Sequence, residues 1–408
     1  MTESTEKKSS RQLMQELIGD AYQRVRDAKA EGRPIGFSTS NFPKEIPATF
    51  GLEIVYPENH SAAVAAKKGA LHFCEKAEGM GYTMDTCAYA RVNLGFIERE
   101  EDFGFGLDVP KPDFVLVGNN ICTTVIKWYE NLAYNLDIPF IFIDFPYSME
   151  EEYQPYKMKY IKDQVEQAIL QLEEITGTKF DYDKFQRLLE TSSENGRLFL
   201  ECMDLIGENN PSPVSGFDAY NLMGLMVVAK PFPETGEVFK AYIAELKELV
   251  AKGETRFKGE ENYRVMFDGL ACWPYLRQNS EFLASQGVNL VGSIYARNFG
   301  TQFTNLAELC ASYATTNNAR GLEIAIRDRR WMLENYNCEG ILAHCTRSCK
   351  PWVGIQPEMI RQLSEEFQIP YTFFDGDQTD PRAFSQAQYE TRVQGLVELM
   401  DQKKAAKE

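Results

Sequence analysis

The chain predicts an α/β fold of two similar lobes, each a short parallel sheet flanked by helices. A helical connecting segment joins them, and the functional site falls in the cleft between the lobes. Three observations predict this. Short apolar runs alternate with stretches of helical spacing, the pattern by which helical crossovers build a parallel sheet. From about residue 150 to 253 no strand-like run occurs. Four segments of the first part also match four of the last in order. GRPIGFSTSNFP pairs with NYRVMFDGLACWP, FGLEIVYP with GVNLVGSIY, DFVLVGNNICTT with EGILAHCTRSC, and PFIFIDFPY with PYTFFDGDQ, as an ancient duplication would leave them.

Residues 1–31 carry Leu13, Leu17, Ala21, Val25 and Ala28 at helical spacing and predict an amphipathic helix. The first lobe spans 32–150. In it RPIGFSTS (33–40), GLEIVYP (51–57), DFVLVG (113–118) and PFIFIDF (139–145) read as strands, and 61–80 as a helix. The helical segment, 151–255, contains KYIKDQVEQAILQLEEITG, FDYDKFQRLLETSSENGRLFLECMDLI, DAYNLMGLMVVAK and EVFKAYIAELKELVAKG, interrupted by proline and glycine at PSPVSG and PFPETG. The second lobe, 256–408, offers YRVMFDG (263–269), VNLVGSIYA (288–296), GILAH (340–344) and PYTFFDGD (370–377) as strands, with LEIAIRDRRWMLENYN among its helices.

Composition limits what such a scaffold can do. With 408 residues and 44% apolar content the chain can bury a large core. No run of about 18 apolar residues exists, and the N-terminus is polar, so a cytoplasmic location is expected and a membrane span is not. A net charge of -17 makes nucleic acid a poor partner, although a local nest of N–H groups and a few cations can still hold an anionic coenzyme A thioester. Nine cysteines in a reducing compartment argue for metal binding, catalysis or burial rather than disulfides.

Cys87, Cys122, Cys345 and Cys349 stand out because each sits among small polar, turn-like residues, in segments far apart in the chain. Cys122 and the pair Cys345/Cys349 follow predicted strands, where parallel sheets place their ligands. Cys87 lies where a helix begins, and the helix dipole there favours the metal-binding thiolate. These thiols suit an iron–sulfur cluster. Cys74, Cys202 and Cys310 fall on apolar stretches and read as core, Cys338 as structural, and Cys272 as a neighbour of the site at most. Zinc is the rival metal, but C-T-R-S-C lacks a second knuckle and the chain has only three histidines. No phosphate loop or dinucleotide fingerprint occurs. Ser40 and Glu58, at strand ends of the first lobe, are candidates for proton transfer, against the alternative that they merely cap a turn and face solvent. His344 reads as a core histidine that could also reach cluster sulfur or substrate.

The segments GNNICTTVIKWYENLA, IFIDFPY, HCTRSCKPW and DGDQTDPRAFSQAQYETRV resemble the 2-hydroxyacyl-CoA dehydratases, a family that also contains the benzoyl-CoA reductase subunits. The likeness runs over nearly the whole chain with its motifs in order. It implies a heterodimer of homologous subunits, each with a 4Fe-4S cluster on three cysteines, and a separate ATP-hydrolysing iron–sulfur activator that injects one electron. It further implies that an (R)-2-hydroxyacyl-CoA loses water to give a 2-enoyl-CoA through a ketyl radical. Carried across, Cys87 and Cys122 match ligand positions. The third ligand is left between Cys345, which adjoins the strand end, and Cys349, which carries the R-S-C-K signature. Ser40 and Glu58 match pocket positions for leaving-group departure and proton removal. Arg347 and Lys350 are candidates for coenzyme A phosphates or simple surface charges. The same resemblance leaves open ATP-coupled reduction of an aromatic acyl-CoA, or a non-catalytic relay subunit whose cluster takes all four cysteines.

Overall fold

The computed structural model describes residues 8–149, 153–316 and 320–406. In the first lobe β1 (Ile35–Ser38), β2 (Glu53–Val55), β3 (Phe114–Gly118) and β4 (Phe140–Ile143) form a four-stranded sheet in the order β2-β1-β3-β4. In the second, β5 (Tyr263–Asp268), β6 (Val288–Ser293), β7 (Gly340–Thr346) and β8 (Tyr371–Gly376) repeat it as β6-β5-β7-β8. Every pairing is parallel, with Phe37 opposite Val115 and Phe267 opposite Leu342. The segments matched in the sequence thus occupy the same places in both sheets.

The central strands are largely apolar because both faces of each sheet are covered. Along β3, Val115 and Val117 enter one core with Ile35, Phe37 and Trp128, while Phe114 and Leu116 enter another with Ile141 and Ile143. In the second sheet Val265, Phe267 and Leu342 face one core, and Met266, Ile341 and Ala343 the opposite one. The period of two is that of a pleated strand.

The four helices of the connecting segment are shared between the sheets. Pro155–Thr176 supplies Ile161, Val165, Ile169 and Leu172 to the first lobe's outer core, whereas Pro233–Lys252 supplies Val238, Phe239, Ile243 and Leu246 to the second lobe's. Tyr182–Glu208 serves both: Phe185 and Leu189 lie in the former core, Leu198, Phe199, Cys202 and Ile206 in the latter. At 27 residues it is about 40 Å long, given 1.5 Å of rise per residue. The N-terminal helix Ser10–Ala30 opens on a capping box between Ser9 and Gln12. The helix expected over 61–80 is instead two, Pro57–Ala66 and Ala70–Gly79, broken where Lys68 takes a φ of 66°. No helix of the described residues is long and apolar enough to cross a membrane.

The strand order decides where a ligand can bind. From β1 the chain moves to one side of the sheet and from β3 to the other, which opens a crevice beyond the carboxyl ends of these two strands. The same crevice opens beyond β5 and β7. At the end of β5, Gly269 has a φ of 126°, and a Cβ there would stand 2.8 Å from the His344 carbonyl oxygen, so only glycine turns the chain at this point.

Candidate active site

The two crevices meet in one cavity enclosing about 990 Å3 of empty space, its open mouth included. Ser40, Asn41, Ile121 and Cys122 line it from the first lobe's strand ends, and Leu270 and Cys349 from the second's. Cys87, Cys122 and Cys349 all face it, and each is the residue that immediately precedes a helix: Ala88–Ile97, Thr123–Leu136 and Lys350–Phe367 respectively. Three helix N-termini, with their unpaired N–H groups and positive dipole ends, therefore converge on three sulfurs. The helix after Cys87 is held close to its neighbour because a Cβ on Gly95 would strike the Phe73 carbonyl oxygen at 2.1 Å.

Burial sets the electrostatics of this cluster of thiols. It pushes the Cys87 thiol well above its ordinary range, and charge on Cys349 and Cys122 adds to the shift, while the Ala90 N–H opposes it. Cys349 is pushed up to about 12, again first by burial and then by Cys122, against the Trp352 N–H. Cys122 is raised by burial and lowered by the N–H groups of Val125 and Thr124. None of these N–H groups makes a full capping hydrogen bond to sulfur, but each favours the thiolate electrostatically. Charge on Cys122 thus raises both other thiols, and positive charge in the cavity they line would offset the cost of ionising them. Among the described residues no three His, Cys, Asp or Glu side chains stand close enough to hold a single metal ion.

Cys345 stands apart. It is still within β7, half-buried, and points off the sheet face toward Gln356 and a separate hollow lined by Tyr371, Phe373, Asp375 and Arg392. C-T-R-S-C therefore does not close on itself as a knuckle. His344 is neutral and buried, with Nδ1 on the Leu270 carbonyl at 2.6 Å and its ring stacked on Phe374. Cys74, Cys202, Cys310 and Cys338 belong to the four apolar cores, and Cys272 is buried beside the short helical turn Trp273–Tyr275. Arg347 pairs with Asp375 at 3.8 Å and Lys350 bonds the Arg347 carbonyl, both on the surface.

Ser40 and Glu58 meet on the cavity wall. Glu58 is on the first turn of Pro57–Ala66, directly after β2, and its Oε1 accepts from the Ser40 N–H at 3.1 Å. The Tyr129 hydroxyl lies 3.0 Å from Glu58 Oε2 and 2.9 Å from the Ser38 carbonyl oxygen. One phenolic proton cannot serve two acceptors, so a proton on Glu58 completes the arrangement. Burial raises the Glu58 pKa in the same direction, against the hydrogen bonds from the Glu58 and Ser40 N–H groups and Tyr129 and the charge of Lys44. Lys44, itself lowered to about 7 by burial, donates from Nζ to the Ser40 carbonyl.

Most of the rest of the wall is apolar or aromatic, Val125, Trp128, Met223, Val227, Phe299 and Trp352 among others, with Asn59, Asn298, Thr316 and Gln378 as polar exceptions. Tyr89 accepts from Trp273 Nε1 at 2.7 Å, which ties the Cys87 helix to the second lobe. A buried ionic contact does the same, Arg91 Nη1 standing 2.8 Å from Asp380 Oδ2. Tyr129, Lys44, Tyr89, Trp273 and Gln378 were not singled out by sequence. Tyr129 and Lys44 have helical or turn surroundings that look ordinary, whereas Gln378 lies in D-G-D-Q-T-D-P, a polar run just past β8 and so in the position where ligands collect.

The family model described as 2-hydroxyglutaryl-CoA dehydratase, D-component, matches residues 39–400. The (R)-2-hydroxyisocaproyl-CoA dehydratase alpha subunit of Clostridioides difficile is 46% identical over 402 residues, 98% of each chain. The (R)-phenyllactyl-CoA dehydratase alpha subunit of Clostridium sporogenes is 43% identical over 401 residues, covering 98% of this chain and 97% of its own. A benzoyl-CoA reductase subunit of Thauera aromatica is 23% identical over 420 residues, 98% of this chain and 96% of its own.

Proposed function

The chain belongs to the 2-hydroxyglutaryl-CoA dehydratase D-component family, and from that premise we propose that it is the substrate-binding subunit of a hydro-lyase. The reaction is removal of water from an (R)-2-hydroxyacyl-CoA to give a 2-enoyl-CoA. What carries the reading is that Cys87, Cys122 and Cys349, from both lobes and three separate segments, share a cavity with Ser40 and Glu58. Soft sulfur donors that face one enclosed space fit an iron–sulfur cluster, whose inorganic core bridges ligands too far apart to share a single ion. In this reading Cys87, Cys122 and Cys349 hold a 4Fe-4S cluster and Cys345 does not. When bound, that group supplies one electron and an iron free of protein ligands, the means to turn the thioester carbonyl into a ketyl that expels the α-hydroxyl. A homologous second subunit and an ATP-hydrolysing activator complete the system.

The chain's own residues supply the proton traffic. Glu58, kept protonated by burial, gives its proton to the departing hydroxyl, and water leaves. The carboxylate that remains takes the β-proton, so Glu58 ends as it began. Ser40, whose backbone is fixed between Glu58 and Lys44, orients the hydroxyl from the cavity wall. Val125, Trp128, Met223 and Phe299 exclude water and suit an apolar acyl chain. The test is anaerobic purification with the second subunit, then iron and sulfide analysis of Cys87→Ala, Cys122→Ala, Cys345→Ala and Cys349→Ala. Loss of iron in all but the Cys345 variant supports the assignment; unchanged iron in all four sinks it. Product analysis separates dehydration, which consumes no net electrons, from aromatic reduction, which consumes two per turnover.

A further inference from the structure

Gln378 is fully buried on the cavity wall, 291 positions along the chain from Cys87, and its Nε2 lies 3.3 Å from the Cys87 sulfur. The hydrogen bonds around it fix which end of the amide faces the sulfur. A thiolate sulfur can only accept, so the end of the amide on Cys87 is the N–H, which leaves Oε1 facing Ser348 Oγ at 3.3 Å; Ser348 Oγ in turn accepts from the Ala88 N–H at 3.0 Å. The amide thus spans the two, its oxygen on the Ser348 side and its N–H on Cys87. The backbone is held as firmly: the Trp273 N–H donates to the Gln378 carbonyl at 3.1 Å, and Asp377 accepts from the Ser348 and Thr379 N–H groups, each at 3.1 Å. A closed loop of contacts thus runs from Cys87 through Ala88, Ser348 and Gln378 back to Cys87, and Ser348 is the residue beside Cys349.

We propose that Gln378 is a tuning residue: its amide N–H on the Cys87 sulfur raises the reduction potential of the cluster above what the three thiolates alone would set. This rests on the reading of Cys87, Cys122 and Cys349 as ligands. A hydrogen bond to a ligand sulfur withdraws negative charge from it and so favours the reduced, more negative state of the centre. Of the contacts around the three sulfurs, this is a side-chain donor delivered by the opposite lobe, so lobe packing and redox poise are set by one residue.

The experiment uses the enzyme purified anaerobically with its second subunit. A reductive titration followed by electron paramagnetic resonance assigns this chain's cluster as the signal missing from Cys122→Ala. Gln378→Leu removes the donor; Gln378→Glu keeps the acceptor for Ser348 and replaces the donor by a carboxylate. With iron and sulfide at the wild-type level, the midpoint should move negative in Gln378→Leu and further in Gln378→Glu. The shift in the Glu variant should shrink as pH falls, because a protonated carboxyl again offers a donor. A prop that only joined the lobes would change thermal stability without this pH-dependent shift. Unchanged midpoints, or loss of iron from both variants, overturn the proposal while leaving the ligand assignment standing. Absence of any Cys122-dependent signal in the wild-type enzyme overturns the assignment and the proposal together.

Discussion

The two lobes share a strand order and differ in what they place at equivalent strand ends. Cys122 follows β3 and Cys349 follows β7, so the two sheets offer matched thiols. Beyond β1 and β2, however, the first lobe places Ser40 and Glu58, whereas beyond β5 and β6 the second places Leu270 and Tyr295. One lobe places the candidate acid–base pair on the wall, while at the equivalent strand ends the other places an aliphatic and an aromatic side chain. The lesson is that the shared sheet fixes positions, and the residues just beyond the strand ends, in loops or first helical turns, set what each position offers.

The matched thiols give the largest expected effect. Cys122→Ala and Cys349→Ala should lose iron alike and lose more activity than the roughly 10- to 100-fold that changes outside a ligand shell cost. A difference in iron content between these two variants would break the symmetry. The unmatched positions come next. Glu58→Gln should lower kcat by about 10^2 to 10^4 with iron unchanged, the range for a proton-transfer group, while Tyr295→Phe should cost far less. The wild-type rate should also fall as pH rises through the elevated Glu58 pKa, a dependence that Glu58→Gln removes.

Each lobe also hides one neutral histidine, and these sharpen the comparison at acid pH. His60 bonds the Leu107 carbonyl at 2.8 Å through Nε2, and His344 the Leu270 carbonyl at 2.6 Å through Nδ1. The other ring nitrogen of each is buried with no partner among the described residues. Burial lowers both to about 4 from 6.5. Between these values the unfolded chain binds protons that the folded chain does not, so stability falls as pH drops from 6.5 toward 4. At 1.36 kcal/mol per unit the loss is about 3 kcal/mol for each histidine. Denaturant unfolding at pH 7 and pH 4.5 should show that His60→Gln and His344→Gln each remove a comparable share of this acid sensitivity. The smallest effect belongs to the surface: Arg347→Ala and Lys350→Ala should change stability by no more than about 0.5 kcal/mol, with thioester KM unaffected.

Much of this comparison was legible in the sequence, because buried parallel strands leave apolar runs and the strand ends that follow them are where parallel sheets bind. The choice between Cys345 and Cys349 was not. In β7, Ile341, Ala343 and Cys345 share a sheet face, so Cys345 points sideways, and only a residue beyond the strand turns toward the crevice. Strand periodicity holds that information, but only once the last strand residue is known to be Thr346 rather than His344. Tyr129 and Gln378 were hidden for another reason. Their meaning comes from partners 71 and 291 positions away, and a linear pattern carries no trace of such encounters.

The long helix Tyr182–Glu208 has a consequence for how ligands come and go. Because its early turns are embedded in one core and its later turns in the other, the halves cannot swing apart like jaws without stripping Phe185 and Leu189, or Leu198 and Phe199, from their neighbours. The Arg91–Asp380 contact also joins the two lobes. Opening the cavity by parting the lobes would therefore uncover apolar core on the helix and break a buried ion pair as well.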